Sequence, residues 1–295
     1  MNKLMLDARG VQVDLSPSGG DDLHLHGSVA DVEVFDRYPV SDRAKDEVAD
    51  AMEEGPVEEG LARLLEYDKD THDHVIGVGL LATHLALKDG LEYGARRRLA
   101  RGALLHDLGK VGVDIDIINP RHRAAEKLDK SAGDLTFREI QRHPILGYVM
   151  VKGLYEADES EHAPDIDPSA PQVIGNLVLT HHCHNEARAP YPSLGDLGHL
   201  HEQGQLDMAT IQDPELQQLG RYLGLADTYE AITANRSYNN DGRFRDPLNV
   251  LDVLETSHGS MDAQTEELMM GIHLQRFPFG WMPDTAVDLR QAVRV

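Results

Sequence analysis

The sequence is short of three features that define common classes of protein: cysteine, long apolar runs and basic residues. A single cysteine, Cys183, excludes an internal disulfide framework and fits the reducing cytoplasm. No apolar run reaches the roughly 18 residues that a transmembrane helix needs, and the first residues lack the sustained apolar stretch of a secretory signal. We therefore expect a cytoplasmic protein without membrane insertion.

Basic side chains are outnumbered almost two to one by acidic ones. The 295 residues include 51 acidic and 28 basic side chains, which gives a formal net charge of −23. A surface this negative repels the phosphate backbone, so binding to duplex nucleic acid is not expected. An anionic substrate would need local cations to overcome the same field, and metal ions would supply them.

The pattern of apolar residues divides the chain into an N-terminal arm, 1–55, and a helical domain, 56–295. The arm alternates apolar and polar residues, which predicts short strands or irregular chain, and ends in an acidic helix closed by Gly55. In the domain, apolar residues recur at helical intervals. The predicted helices cover 57–90 with a break near 67–71, 92–109 with arginines on its outer face and Gly109 at its end, 136–156, 170–184, 213–233, 249–259 and 262–274; irregular chain is predicted at 112–134, 157–169 and 185–212.

Several histidine and aspartate residues lie on or at the ends of these apolar helices. They are His74, His106, Asp107, His143, His181, His182 and Asp227. A buried histidine needs a hydrogen-bond partner and a buried aspartate needs a cation or several donors, so a metal centre explains the set more economically than separate structural roles. Imidazole and carboxylate together suit divalent transition metals, and two such ions can activate water against a phosphoryl group.

The order H…HD…H…HH…D resembles the HD superfamily of metal-dependent phosphohydrolases, and more narrowly its HD-GYP branch, whose members hydrolyse cyclic di-GMP. The matching blocks are ALLHDLGKVG at 103–112, LTFREIQRHPILGYVMV at 135–151 and YLGLADTYEAITANRSY at 222–238, with a TxxH match at 71–74. The resemblance covers about residues 60–260. It implies an all-α fold, a helical bundle of the HD-domain type.

The resemblance also implies a ligand set. The seven residues above would be metal ligands, and Asp107 would bridge two ions and take part in catalysis. Asp70 lies four residues before His74 on the same helix face and would hold a third ion. The implied cofactors are two or three divalent ions, with iron expected first and manganese, zinc, nickel or cobalt as alternatives.

Three further residues are implied as substrate contacts: Lys110, which would also stabilise charge during catalysis, Arg236 and Tyr191. Structural alternatives stay open for some of these assignments. Lys110 would then interact with the dipole at a helix C-terminus, Arg236 would form a surface salt bridge, and Asp70 would be an exposed acid.

The chain departs from the family pattern in the loop after His182. Cys183 stands where the family has a glutamate, and the glycine before Tyr191 is missing. We predict that Cys183 packs beside the ligands without binding metal, and that His199 and His201 in the stretch 185–212 are surface residues. These changes affect substrate recognition more than the metal ligands.

The predicted function is a metal-dependent phosphodiesterase that hydrolyses cyclic di-GMP or a related cyclic dinucleotide through a metal-bridged hydroxide. Two alternatives stay open. One is an HD phosphohydrolase that acts on another nucleotide or phosphoester, and the other is a non-catalytic sensor module that binds metal and nucleotide. The expected partner is a small phosphoester substrate; a homodimer is compatible with the sequence, although no residue points to one.

Overall fold

A computed structural model describes residues 4–6, 12–14, 29–118, 137–157, 170–183, 191–234 and 246–277. The helices are α1 (Val29–Arg37), α2 (Asp42–Met52), α3 (Gly55–Tyr67), α4 (Lys69–Lys88), α5 (Tyr93–Leu105), a 3-10 helix (Leu108–Gly112), α6 (Ile115–Ile118), α7 (His143–Ala157), α8 (Ala170–Thr180), α9 (Leu194–Glu202), α10 (Met208–Ile211), α11 (Pro214–Thr233), α12 (Pro247–His258) and α13 (Ala263–Arg276). Residues 137–140 are also helical. The predicted all-α class is confirmed.

Short strands occur in the N-terminal arm, where β1 (Leu4–Leu6) pairs antiparallel with β2 (Gln12–Asp14). Helix α1 departs from the prediction, because it occupies part of the stretch predicted as strands or irregular chain, whereas α2 matches the predicted acidic helix. Gly55 opens α3 and does not close α2, which ends at Met52. None of the described helices combines the length and apolar character that crossing a membrane requires.

Helix α4 is the centre of the bundle. All of its residues from Val75 to Ala86 are buried, as expected for a helix that is apolar all round and has neighbours on every side. It packs against α1, α2, α3, α5 and α11, while α5 packs against α8 and α8 packs against α7. The helices that carry the predicted ligands therefore contact one another directly.

The 3-10 helix lies directly against α7, and Gly109 makes this approach possible. A Cβ at Gly109 would overlap the carbonyl oxygen of His143 and the backbone nitrogen of Gly147. The prediction that Gly109 ends the preceding helix is wrong, since α5 already ends at Leu105. Glycine is required here because two backbones meet, and their contact fixes the position of the site relative to α7.

Two arginines of α5 are buried, which corrects the prediction that the arginines of this helix face outward. Arg96 forms a bidentate ion pair with Glu47 of α2, with distances of 2.6 Å from Nη2 to Oε1 and 2.8 Å from Nε to Oε2. Nη2 of Arg101 donates to Oε1 of Glu54 at 2.7 Å. A buried charge needs such a partner, and these pairs fasten α2 and the start of α3 to α5.

The stretch 185–212 is not irregular throughout, because it contains α9 and α10. Ser193 and Asp196 form a capping box at the start of α9. The buried side chains Leu197 and Leu200 belong to a second apolar cluster with Tyr148 of α7. The predicted irregular stretch 112–134 contains α6 in its described part, and the rest of it and nearly all of 157–169 lie outside the described residues.

Candidate metal centre

The seven predicted ligands from His74 to Asp227 converge where five helical segments meet. His74 lies in the second turn of α4, His106 and Asp107 follow α5, His143 begins α7, His181 and His182 follow α8, and Asp227 lies within α11. Helix ends therefore deliver most of the ligands, and the packing of apolar helices against each other brings those ends together.

Asp107 lies at the centre of the cluster, and its two carboxylate oxygens face different histidines. Oδ1 is 3.2 Å from Nε2 of His143. Oδ2 is 3.6 Å from Nε2 of His74 and 3.5 Å from Nε2 of His106. A carboxylate whose oxygens diverge in this way is suited to bridging two cations.

The remaining ligand atoms lie at similar distances. Nε2 of His143 is 3.1 Å from Nε2 of His181, and Oδ1 of Asp227 is 3.1 Å from Nε2 of His74. Three groups have ligand atoms that all lie within 4.8 Å of one another: His143, His181 and His182; His74, His106 and Asp227; and His106, Asp107 and His181. The cluster could therefore hold more than one metal ion.

The outer ring nitrogens of the histidines are held by hydrogen bonds. In three of them Nδ1 lies 2.7 Å from the carbonyl oxygen three residues earlier: His106 on Ala103, His143 on Ile140 and His181 on Val178. A carbonyl oxygen can only accept, so Nδ1 must carry the proton in each ring. In a neutral ring the lone pair of Nε2 then points into the cluster, which is the arrangement that a metal ligand needs.

The protonation states also suit a divalent cation. Burial raises the pKa of Asp107, but the Lys110 ammonium together with His106 and His143 outweighs it and holds this pKa well below its usual value. Burial lowers the pKa of His106 and His181, and lowers that of His182 to about 3. The imidazoles of His106, His181 and His182 are therefore neutral beside an ionised Asp107 at neutral pH, as metal binding requires.

His106 provides a direct test of whether the residues fit a metal ion. Its side chain is fully buried, and its Nε2 has no hydrogen-bond partner among the described residues. Since Nδ1 already donates to the carbonyl oxygen of Ala103, Nε2 of the neutral ring carries a lone pair in an enclosed site. An unpartnered buried acceptor is costly, and a cation bound at Nε2 removes that cost. The residues therefore fit divalent metal ions.

The structure places the other predicted site residues at different distances from the cluster. Nζ of Lys110 contacts Oδ2 of Asp107, and the Lys110 side chain is 17% exposed. The Tyr191 ring lies against His182, with centroids 4.3 Å apart and 32° between the planes. Asp70 is exposed one turn before His74 and belongs to none of the three ligand groups found among the described residues, so its role stays a prediction. Arg236 lies outside the described residues.

Sequence reasoning missed Glu230, which supports His74. Glu230 lies one turn after Asp227 on α11, is buried, and contacts Nδ1 of His74. It also accepts a hydrogen bond of 3.1 Å from the hydroxyl of Tyr38. An acidic residue three positions after a predicted ligand on an apolar helix was the available signal, whereas nothing in the arm pointed to Tyr38.

The contacts that support His74 extend to Tyr38, between α1 and α2, and to Arg276 at the end of α13. The Arg276 guanidinium lies 4.4 Å from the ring centroid of Tyr38 and donates to Oγ1 of Thr233 at 2.8 Å. Gly77 makes room for Tyr38, because a Cβ there would overlap its hydroxyl. We call His74, Glu230, Tyr38 and Arg276 the His74 network. It links α4 and α11 to the segment before α2 and to α13.

Cys183 lies beside the centre with its sulfur toward the backbone. Its Sγ is 3.7 Å from the carbonyl oxygen of Pro192 and 4.0 Å from that of Tyr191. Burial raises the pKa of the thiol to about 11, so it is protonated at neutral pH. His199 and His201 are exposed on α9, as predicted.

The chain belongs to the HD domain family. The HD domain family model matches residues 71–232, which is more than half of the chain and contains all seven clustered candidate ligands. Among solved structures, the chain is similar to the HD domain of the L. monocytogenes phosphodiesterase PgpH, with 16% identity and a TM-score of 0.42 over 74% of this chain and 97% of that one. None of the curated proteins compared with the chain matches it.

Proposed function

We propose that this protein is a metal-dependent phosphohydrolase whose centre holds two divalent cations around Asp107. One observation carries the proposal. Imidazole nitrogens and the diverging oxygens of Asp107 lie together in one cluster, and the ammonium of Lys110 contacts Asp107. The ions would be held by His74, His106, Asp107, His143, His181, His182 and Asp227, with Asp70 as a candidate ligand of a third. Membership of the HD domain family supports this assignment.

The roles of the chain's own residues follow from their positions. Bound divalent ions would supply Lewis-acid activation of water and neutralise phosphoryl charge. The carbonyl contacts of Nδ1 keep three imidazoles in one orientation, so little reorganisation accompanies the reaction. Lys110 is partly exposed and adds positive charge on the solvent side, where a phosphoryl oxygen would approach.

We further propose that the substrate is a phosphodiester, with cyclic di-GMP or a related cyclic dinucleotide as the first candidate. The sequence blocks around His106, His143 and Asp227 favour this choice, and Arg236 and Tyr191 are the proposed substrate contacts. The altered loop between Cys183 and Tyr191 favours a second candidate, an HD phosphohydrolase that acts on another nucleotide or phosphoester.

The test is turnover by the full chain loaded with Fe(II) without oxygen, or with Mn(II). Cyclic di-GMP should yield pGpG or GMP, and a panel of linear nucleotides and bis(p-nitrophenyl) phosphate separates the two candidates. Asp107→Asn should lose both bound metal and turnover, whereas Asp114→Asn, which changes an exposed aspartate seven residues later, should keep both. Metal-loaded protein that binds nucleotide but cleaves no phosphoester would refute the hydrolase and favour the sensor module.

A further inference from the structure

A chain of aromatic rings leads outward from the metal centre. The Tyr191 ring lies 4.3 Å from His182 and 6.3 Å from His143, measured between centroids. The Phe137 ring lies 6.2 Å from Tyr191, at an interplanar angle of 74°. Phe137 is thus two ring contacts from a clustered ligand. The two rings meet edge to face and form an aromatic corner beside the site.

Phe137 is an exposed aromatic residue at the outer end of this series of rings. It is 44% exposed and lies on the helical residues 137–140, just before His143. A single exposed apolar side chain is ordinary on a protein surface. Here, however, the exposed ring continues a ring series that begins at the buried ligands, and Tyr191 at its middle is only partly exposed.

The chemistry of this corner complements that of the centre. The inner end offers the Lys110 ammonium and a cluster suited to cations, which are groups for a phosphate. The outer end offers aromatic faces, which are groups for a planar ring. A nucleotide carries both parts, whereas a sugar phosphate or a polyphosphate has nothing to stack. Aromatic side chains bind bases through their faces, with little dependence on which base is present.

We propose that Phe137 and Tyr191 form a stacking subsite that receives a nucleobase of the substrate. The inference rests on the proposed phosphohydrolase function and restricts its substrates to nucleotides. Phe137 acts here as a specificity residue: it contributes to binding of the base and takes no part in the chemistry at phosphorus.

The direct test is binding of 2-aminopurine riboside 5′-monophosphate to the Mn(II)-loaded full chain. The fluorescence of 2-aminopurine is quenched when its ring stacks on an aromatic side chain. We expect quenching with the unchanged protein, and binding about tenfold weaker with Phe137→Ala. Phe137→Trp should retain binding, because a larger ring still offers a face.

Tyr93→Ala is the matched control. Tyr93 is 45% exposed, its ring contacts Arg96 and Arg97, and it opens α5. His106 follows the other end of that helix, about 20 Å away along the axis. The control should leave probe binding unchanged. Ribose 5-phosphate, used to displace the probe, should bind equally well to unchanged protein and to Phe137→Ala, since it has no base.

The outcomes separate this inference from the proposed function. If Phe137→Ala binds the probe as well as unchanged protein does, or weakens ribose 5-phosphate by the same factor, the stacking subsite is refuted even where phosphoesters are hydrolysed. Absence of any probe binding refutes it as well. If quenching depends on Phe137 but no phosphoester is cleaved, the subsite stands and the hydrolase is refuted.

Discussion

Four histidines of the candidate centre are supported in two different ways. His106, His143 and His181 each donate Nδ1–H to a carbonyl oxygen three residues earlier in their own segment. His74 instead contacts Glu230, 156 positions away in the chain, and Glu230 is held by Tyr38 from the N-terminal side. Local support belongs to the backbone and no side-chain change removes it. Long-range support depends on single side chains, so His74 is a candidate ligand whose binding strength distant parts of the fold can set.

The largest expected effect comes from the locally supported side of the site. Gly109→Ala should destabilise the fold by more than about 3 kcal/mol, because its Cβ meets the backbone of His143 and Gly147, which cannot move aside as a flexible side chain would. Thermal unfolding and metal content measured by mass spectrometry check this. Gly198→Ala is the matched control: a Cβ there meets nothing within 4 Å, and helix propensity predicts a gain of about 0.5–1 kcal/mol. Equal stability of the two variants would contradict the backbone contact.

Acidification tests whether imidazoles of the cluster are buried in their neutral form. Burial lowers the pKa of His182 from 6.5 to about 3, so the unfolded chain binds a proton between these values that the folded chain does not. Stability from this group is therefore complete above pH 6.5 and is lost as pH falls, by about 2 kcal/mol at pH 5. His106 and His181 shift in the same direction.

Urea unfolding of metal-free protein at pH 8 and pH 5 measures this loss. His182→Asn removes one titrating group and should reduce the difference between the two pH values. An unfolding free energy that stays constant or rises on acidification would contradict burial of neutral imidazoles.

The locally determined features of the site are also the ones that could be predicted from the sequence. The positions of histidines and aspartates at the ends of apolar helices predicted the candidate ligands that cluster in the structure, and the break predicted near 67–71 lies between α3 and α4. These features depend on neighbours within a few positions. The order of these histidines and aspartates along the chain resembles that of HD proteins, and the family match supports this resemblance at the level of the HD domain.

The long-range contacts could not be predicted from the sequence in the same way. The sequence predicts Arg96 on the surface, whereas its partner is Glu47 of α2, and Tyr38 gains its role from Glu230 and Arg276. Such partners lie far apart in the chain, and no local period identifies them. Helix α9 was not predicted for a related reason. It has few apolar side chains, and Leu197 and Leu200 are buried because they pack in the second apolar cluster with Tyr148 of α7.

Glu230→Gln tests the His74 network with little change of shape. The amide keeps an acceptor for Tyr38 but removes the negative charge beside His74, so the imidazole becomes a weaker ligand. We expect metal affinity to fall by 10- to 100-fold, as is typical for an outer partner of a ligating histidine, with the fold retained. Competition with a chelator for Mn(II) or Zn(II) measures the affinity. Glu267→Gln, an exposed change on α13, should leave the affinity unaltered. Equal affinities of the two variants would show that Glu230 has only a structural role.

Tyr38→Phe is the mildest change to the same network and shows how far the support of His74 extends. It removes the 3.1 Å hydrogen bond to Glu230 and the longer one, 3.5 Å, that Nη2 of Arg276 donates to the hydroxyl, but keeps the ring on which Arg276 lies. Loss of one such bond costs about 1 kcal/mol, so stability should fall by that amount and metal affinity by a few-fold. Combined with Glu230→Gln, its effect on affinity should be smaller than in the unchanged protein, because both act on His74 through one contact. Full additivity in this double-mutant cycle would mean that Tyr38 acts on the bundle as a whole and not through Glu230.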